Sequence, residues 1–130
     1  MGDDVMSLYI GTDSIPIRLP CSWEHGISYG TPDRTLEDHG ISDKQVVIFI
    51  EKEFNRLEGL LARLTGAPSM LRRPLDRLNS ALWDLIDGDR TLSQIIQIME
   101  DCYDEEIIPA GQRCSASISK LVELNLVGLK

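Results

Sequence analysis

The sequence predicts a single α+β domain with a winged-helix-like order of elements. Its 130 residues are 42% hydrophobic and 26% charged, which is typical of a chain that closes around one core. β-branched and aromatic residues are gathered in the first half, whereas three successive segments of the last third carry apolar residues three and four positions apart. We therefore expect strands first, then three helices and a short final strand.

The first half contains the predicted strands and a long loop. Residues 46–50 are β-branched and aromatic, which favours a strand, and shorter strands are predicted at residues 15–19 and 21–23. Residues 26–43 are rich in Gly, Ser, Thr, Pro and Asp and are predicted to form a loop. The pattern leaves the order of the strands in the sheet open.

An amphipathic helix and a second extended segment come next. Apolar residues recur at helical spacing over residues 52–64, with charged residues between them. A Gly and a Pro then end the helix, and residues 69–74 are predicted to be strand-like because Pro74 keeps Arg73 out of helical geometry.

The helices of the last third have recognisable ends. The first is capped by Asp76 or Asn79 and stops at Gly88, where a glycine accommodates the turn. The second opens with Thr91 and Gln94, which have the spacing of a capping box.

The third helix and the last strand complete the predicted order. The helix begins after Pro109, and residues 126–129 return as a short apolar strand. Helix, helix, helix and strand in this order are typical of a winged-helix arrangement.

Charge argues against nucleic acid as the partner. Thirteen basic and twenty-one acidic residues give a net charge of -8, which opposes binding to a phosphate backbone. The acidic residues are concentrated in residues 1–50 and 91–110, whereas residues 69–90 and 111–130 are neutral or mildly basic. Any acidic partner is therefore expected at the latter two segments.

Several function classes lack their sequence signals. Cys21, Cys102 and Cys114 are widely spaced, which predicts reduced thiols and neither a zinc site nor a disulfide framework. We find no nucleophile motif and no Gly-rich phosphate loop, so no enzymatic activity, metal or cofactor is predicted. The apolar runs are too short for a membrane span and the acidic start does not look like a secretory signal, which predicts a cytoplasmic protein.

The segment at residues 75–92, LDRLNSALWDLIDGDRTL, carries a family resemblance. Its Asn79, Ala81, Trp83, the Asp-Gly pair at 87–88 and Thr91 have the spacing found in the PqqD-like family, named after the peptide chaperone of pyrroloquinoline-quinone biosynthesis. Further along, the apolar pattern of residues 118–127, ISKLVELNLV, also resembles the family, and the similarity covers roughly residues 69–129. Upstream, Ile-Pro-Ile-Arg at 15–18, Trp-Glu at 23–24 and the strand at 46–50 resemble elements of longer family members.

The resemblance implies a fold and a function. The expected fold is a winged helix with a small N-terminal antiparallel β-sheet followed by a three-helix bundle, in which residues 1–68 form an N-terminal extension and residues 69–130 the core. The expected function is that of a non-catalytic recognition element for ribosomally made peptides, which presents a precursor or leader peptide to a modifying enzyme such as a radical-SAM enzyme. The leader is expected to add as a strand in the cleft between the strand at 70–73 and the helix at 112–124.

The candidate peptide-binding residues fall on these two elements. On the helix their spacing of four, three and four places them in one stripe. The candidates are Met70, Leu71, Arg72, Arg73, Arg113, Ser117, Lys120 and Leu124.

Alternatives to peptide binding stay open at this point. The helix stripe is also typical of a solvated face, and arginines on an edge strand also discourage aggregation. The chain could instead be a winged-helix DNA-binding regulator, although its third helix is poor in basic residues, or a structural subunit docked through residues 52–64. Self-association is left open. Trp83 is expected to pack against the N-terminal sheet.

Overall fold

The computed structural model of the protein describes residues 11–30, 33–51, 60, 63–64, 66 and 70–130. Most of the amphipathic helix predicted at residues 52–64 lies outside the described residues. Within them the chain is mixed α+β, as the sequence predicts, with two small antiparallel sheets and four α-helices.

The strands form a three-stranded and a two-stranded sheet. They are β1 (Pro16–Arg18), β2 (Ser22–Ser28), β3 (Lys44–Glu51), β4 (Met70–Pro74) and β5 (Val127–Leu129). The larger sheet has the order β2-β3-β4, and β1 pairs with β5, so the first and last described strands lie side by side. Each predicted strand is present, and β2 continues well beyond the three residues expected for it.

Three α-helices follow β4 in the chain, and a further one lies between β2 and β3. They are α1 (Arg34–His39), α2 (Arg77–Leu85), α3 (Leu92–Tyr103), a short 3-10 helix (Asp104–Ile107) and α4 (Ala110–Glu123). α1 lies within the segment predicted to be a loop, and β2 extends into the first three residues of that segment, so the loop prediction is wrong for residues 26–28 and 34–39. The Asp33 carboxylate caps α1 at the Leu36 N–H, and Gly40, with φ of 83°, ends it.

Side-chain caps set the starts of α2 and α3. Of the two predicted caps for α2, Asp76 is the one observed, because its carboxylate accepts a hydrogen bond from the Asn79 N–H at 2.8 Å. The predicted capping box of α3 is confirmed by two reciprocal hydrogen bonds between Thr91 and Gln94.

One hydrophobic core joins the two halves of the chain. Val46 and Ile48 of β3 pack with Leu82 and Trp83 of α2 and with Ile118 of α4, and all five side chains are buried. Residues on both sides of the boundary predicted at 68–69 therefore share the same interior.

Trp83 packs against the N-terminal strands, as predicted. Its ring is fully buried and meets Trp23 of β2 edge to face, with 5.8 Å between the ring centroids. The guanidinium of Arg18 on β1 lies 5.0 Å from the centroid of the Trp23 ring. These contacts fix α2 against β1 and β2.

The helices in the described part of the chain are short. α4 has 14 residues, and about 20 apolar residues are needed to cross a bilayer. None of the described helices is long and apolar enough to do so.

Candidate functional site

The strand predicted at residues 70–73 forms one edge of the larger sheet. β4 pairs with β3 in an uninterrupted antiparallel register, and all five of its residues are exposed. Among the described residues, no strand pairs with its other edge. β4 therefore presents a regular edge on which another strand could pair.

The hydrogen bond at the end of β4 indicates which of its backbone groups face outward. The Leu75 N–H donates to the Val46 carbonyl at 2.8 Å. In an antiparallel ladder, alternate residues point to the partner strand. Arg73, two residues before Leu75, thus faces β3, and Arg72 directs its N–H and C=O to the free edge.

Pro74 fits this register. It falls on the outward-facing set with Arg72 and Met70, so its missing N–H removes no bond from the ladder to β3. The free edge therefore offers the N–H and C=O groups of Met70 and Arg72, followed by the carbonyl of Pro74.

The two arginines of β4 lie on opposite faces of the sheet. Arg72 is opposite Phe49, and Arg73 is opposite Ile48. Because paired residues share a face, Arg73 lies on the side of the buried Ile48 and Arg72 on the other side. A strand on the free edge would be flanked by a guanidinium on each face.

The other end of β4 is apolar. Met70 and Leu71 are 40% and 50% exposed, whereas most large hydrophobic side chains in the described part of the chain are buried or half-buried. Leu71 is opposite Ile50 and shares its face, whereas Met70 points to the opposite face. The edge thus combines an apolar half with a basic half, although the chain as a whole carries a net charge of -8.

The helical candidates lie on α4. Arg113 and Lys120 are exposed, and Ser117 and Leu124 are half-buried. α4 packs mainly on α3 and β5, whereas β4 packs on β3. The structure therefore does not bring the two groups of candidates into extensive contact, and the cleft expected between them stays a prediction.

Both cationic groups of the α4 stripe have neighbours within the protein. The Arg113 guanidinium donates to the Glu106 carbonyl at 2.5 Å. The Lys120 ammonium lies 3.8 Å from the Glu123 carboxylate, and both of these side chains are exposed. Such exposed pairs contribute little to stability and are easily exchanged for another partner.

The opposite edge of the sheet is less regular. The pairing of β2 with β3 shifts register between His25 and Ser28. A bulge of this kind twists an edge and interrupts its row of hydrogen-bonding groups. β4 is therefore the better template for an added strand.

A polar network centred on Asp84 was not anticipated from the sequence. Its carboxylate, only 5% exposed, accepts hydrogen bonds from the backbone N–H and the hydroxyl of Ser42 and contacts His25 Nε2 at 2.8 Å. The partners are 42 and 59 residues away, so no local spacing signals the network. The Ser42 hydroxyl donates to Asp84 and not to His25, so the trio lacks the nucleophile-to-base hydrogen bond of a hydrolase.

A second polar pair holds α2 against the loop before β3. Asp43 is buried and has φ of 54°, and its carboxylate accepts a hydrogen bond from Arg77 Nε at 3.0 Å. This hydrogen bond raises the pKa of Arg77, although burial works in the opposite direction. The same guanidinium lies over the ring of Tyr103, whose pKa burial raises to about 12. The arrangement ties α2 to the loop before β3 and to α3.

The three thiols are free, as predicted. Burial raises the pKa of Cys114 to about 11, and it also raises the pKa values of Cys21 and Cys102. All three are therefore protonated at neutral pH and poorly nucleophilic. In the described part of the chain, no group of three or more His, Cys, Asp or Glu side chains is placed to hold a metal ion.

Comparison of the chain with models of known protein families, with curated protein sequences and with solved structures finds no match. The resemblance to the PqqD-like family thus depends on the residues of the segments at 75–92 and 118–127 and on the upstream elements. The geometry of β4 is an independent observation that bears on function.

Proposed function

We propose that the protein is a non-catalytic peptide-binding chaperone or scaffold of the PqqD-like type, built on a winged-helix arrangement. It takes a ribosomal precursor or leader peptide as an added strand on the free edge of β4 and presents it to a modifying enzyme, such as a radical-SAM enzyme. The observation that carries the proposal is the outward-facing N–H and C=O of Arg72 on an exposed, regularly paired edge strand.

The size of the edge sets the strength of such binding. Each main-chain hydrogen bond contributes about 1 kcal/mol net, so the few outward groups of β4 give only weak affinity by themselves. Side-chain contacts must supply the rest, and they also supply selectivity for a particular peptide. Weak main-chain binding suits a carrier that has to release its peptide to an enzyme.

In this proposal α4 forms the second wall of the peptide site. Arg113, Ser117, Lys120 and Leu124 face the peptide from the helix, and the exposed cations exchange their internal neighbours for peptide carboxylates. Arg113 and Lys120 each already have a partner within the protein. We therefore expect them to contribute less to peptide affinity than Arg72 and Arg73.

A proline scan of β4 tests the proposal without a known ligand. The probe is an array of synthetic octapeptides of random sequence, incubated with the labelled protein. Arg72→Pro removes an outward N–H and leaves the ladder to β3 intact, so the peptides bound by the wild type should be lost. Arg72→Ala, which keeps the N–H, should retain most of them.

Folding is controlled with variants of the same strand. Arg73→Pro removes an inward N–H and should lower the unfolding free energy by about 1 to 3 kcal/mol, whereas Arg72→Pro should change it much less. If Arg72→Pro does unfold, Met70→Pro removes the other outward N–H at the tolerant start of the strand. An array on which the wild type binds nothing, or on which a folded Arg72→Pro or Met70→Pro variant binds the same peptides as the wild type, contradicts the proposal.

A further inference from the structure

The side chains of β4 are ordered in pairs. Met70 and Leu71 are apolar and exposed, and Arg72 and Arg73 follow as two cations. Within each pair one side chain lies on the face of the buried Ile48 and the other on the opposite face, as the register with β3 requires. Both faces of the edge therefore have an apolar end and a basic end.

An added strand must match this order on both faces. Its successive side chains also alternate between faces, so the residues opposite Arg72 and Arg73 are neighbours in the peptide sequence. The residues opposite Met70 and Leu71 are likewise consecutive. Opposite charges and apolar side chains directly across a pair of strands stabilise the pairing, and like charges destabilise it.

We propose that the peptide bound at β4 contains two consecutive acidic residues next to two consecutive apolar residues. The inference rests on the proposed function and specifies the class of peptide. The acidic pair lies opposite Arg72 and Arg73, and the apolar pair lies opposite Met70 and Leu71.

Charge supports the acidic half of this pattern. Arg72 and Arg73 are the charged residues of β4, and no acidic residue stands in the strand, although the whole chain has a net charge of -8. An acidic pair is thus attracted to one short basic strand of a protein whose net charge is negative.

The order of residues separates this proposal from general attraction to acid. A peptide with alternating acidic and apolar residues has the same composition, yet both of its carboxylates lie on one face. One of them then meets an arginine and the other meets an apolar side chain, while the second arginine faces an apolar residue.

The test uses three labelled octapeptides of identical composition. Two contain the paired orders Glu-Glu-Val-Ile and Val-Ile-Glu-Glu, which allow for antiparallel and parallel addition, and the third contains Glu-Val-Glu-Ile. In fluorescence anisotropy titrations, the better of the two paired peptides should bind about three- to tenfold more tightly than the alternating one. Equal affinities for all three peptides would overturn the inference.

Charge reversal locates the preference. Arg72→Glu combined with Arg73→Glu should abolish the preference for the acidic pair and create a similar preference for Lys-Lys-Val-Ile or Val-Ile-Lys-Lys. The matched double variant, Arg34→Glu with Lys44→Glu, reverses two exposed cations outside β4 and α4 and should keep the acidic preference. An acidic preference that survives the charge reversal at Arg72 and Arg73 would contradict the inference.

The failures of the two proposals are distinguishable. If the array yields peptides that Arg72→Pro no longer binds, but paired and alternating peptides bind equally, strand addition stands and the class of peptide is wrong. If the wild type binds neither the array nor the designed peptides, strand addition itself fails.

Discussion

Asp84 illustrates how single residues hold this fold in place. Its nearly buried carboxylate links α2 to the segment before β3 through Ser42 and to β2 through His25. Hydrogen bonds to a buried charged group are among the stronger ones in proteins, and removing the acceptor leaves its donors unsatisfied. The position of the sheet relative to α2 therefore depends on this one side chain.

Replacing Asp84 should have a large effect on stability. We expect Asp84→Ala to lower the unfolding free energy by about 2 to 3 kcal/mol, because the Ser42 N–H and hydroxyl lose their acceptor. Urea denaturation measures the change. Asp89→Ala, at an exposed aspartate five residues away, is the matched control and should change stability by less than about 0.5 kcal/mol. Equal losses in the two variants would contradict the role given to Asp84.

Residue-scale predictions from sequence succeed where the signal is local. Thr91 and Gln94 form the predicted capping box because the three-residue spacing alone brings them together. Asp84 has no such signal, since its partners come from distant parts of the chain and meet it only in the folded core.

At the scale of elements, the turn between α2 and α3 is built on one carboxylate. Asp87 Oδ1 accepts hydrogen bonds from the backbone N–H groups of Asp89 and Arg90, each at 2.9 Å. Burial acts to raise the pKa of Asp87, but the hydrogen bonds from Arg90 and Asp89 outweigh it and lower this pKa below its usual 3.8.

The lowered pKa of Asp87 predicts a pH-dependent contribution to stability. Because the folded state holds this proton less tightly than the unfolded state, the contribution is complete above about pH 4 and is lost as the pH falls through the folded pKa. Asp87→Asn keeps an oxygen acceptor but does not titrate. Urea denaturation from pH 2 to pH 6 should therefore give a difference between wild type and variant that grows with pH up to about 4 and then levels off. A difference independent of pH would argue against the assignment.

The sequence predicts most elements but not their pairing. Strong periodicity locates α2, α3 and α4, caps mark the starts of α2 and α3, and β-branched residues locate β3. α1 was missed because its Gly- and Asp-rich surroundings are typical of loops, although Asp33 and Gly40 are recognisable as its cap and stop. The pairing of β1 with β5 joins opposite ends of the described chain, and local patterns carry no information about it.

For the whole molecule, the candidate site is a sheet edge whose chemistry depends on register. The sequence predicts the strand at residues 70–73 and its two arginines. It does not predict that they lie on opposite faces or that Arg72 directs its backbone outward, because both follow from the pairing of β4 with β3. Pro74 is the one local signal of this orientation, because a proline in a strand favours a position at which an N–H would face the free edge. Arg72, two residues earlier, then faces the same edge.

Charge should affect peptide binding most at the free edge of β4. Arg72 and Arg73 flank the free edge. Arg113 instead donates to the Glu106 carbonyl, and Lys120 lies beside the Glu123 carboxylate. The central claim is that a peptide binds by main-chain pairing to β4 and that side-chain contacts determine which peptides bind.

Amide hydrogen exchange, followed residue by residue by NMR, tests this claim most directly. The probe is the array octapeptide that the wild type binds most tightly. Saturation with it should slow exchange of the outward Met70 and Arg72 N–H groups at least about tenfold, while the Leu71 and Arg73 N–H groups, already bonded to β3, change little. Peptide binding that leaves Met70 and Arg72 unprotected, or that protects only α4, would contradict strand addition at β4.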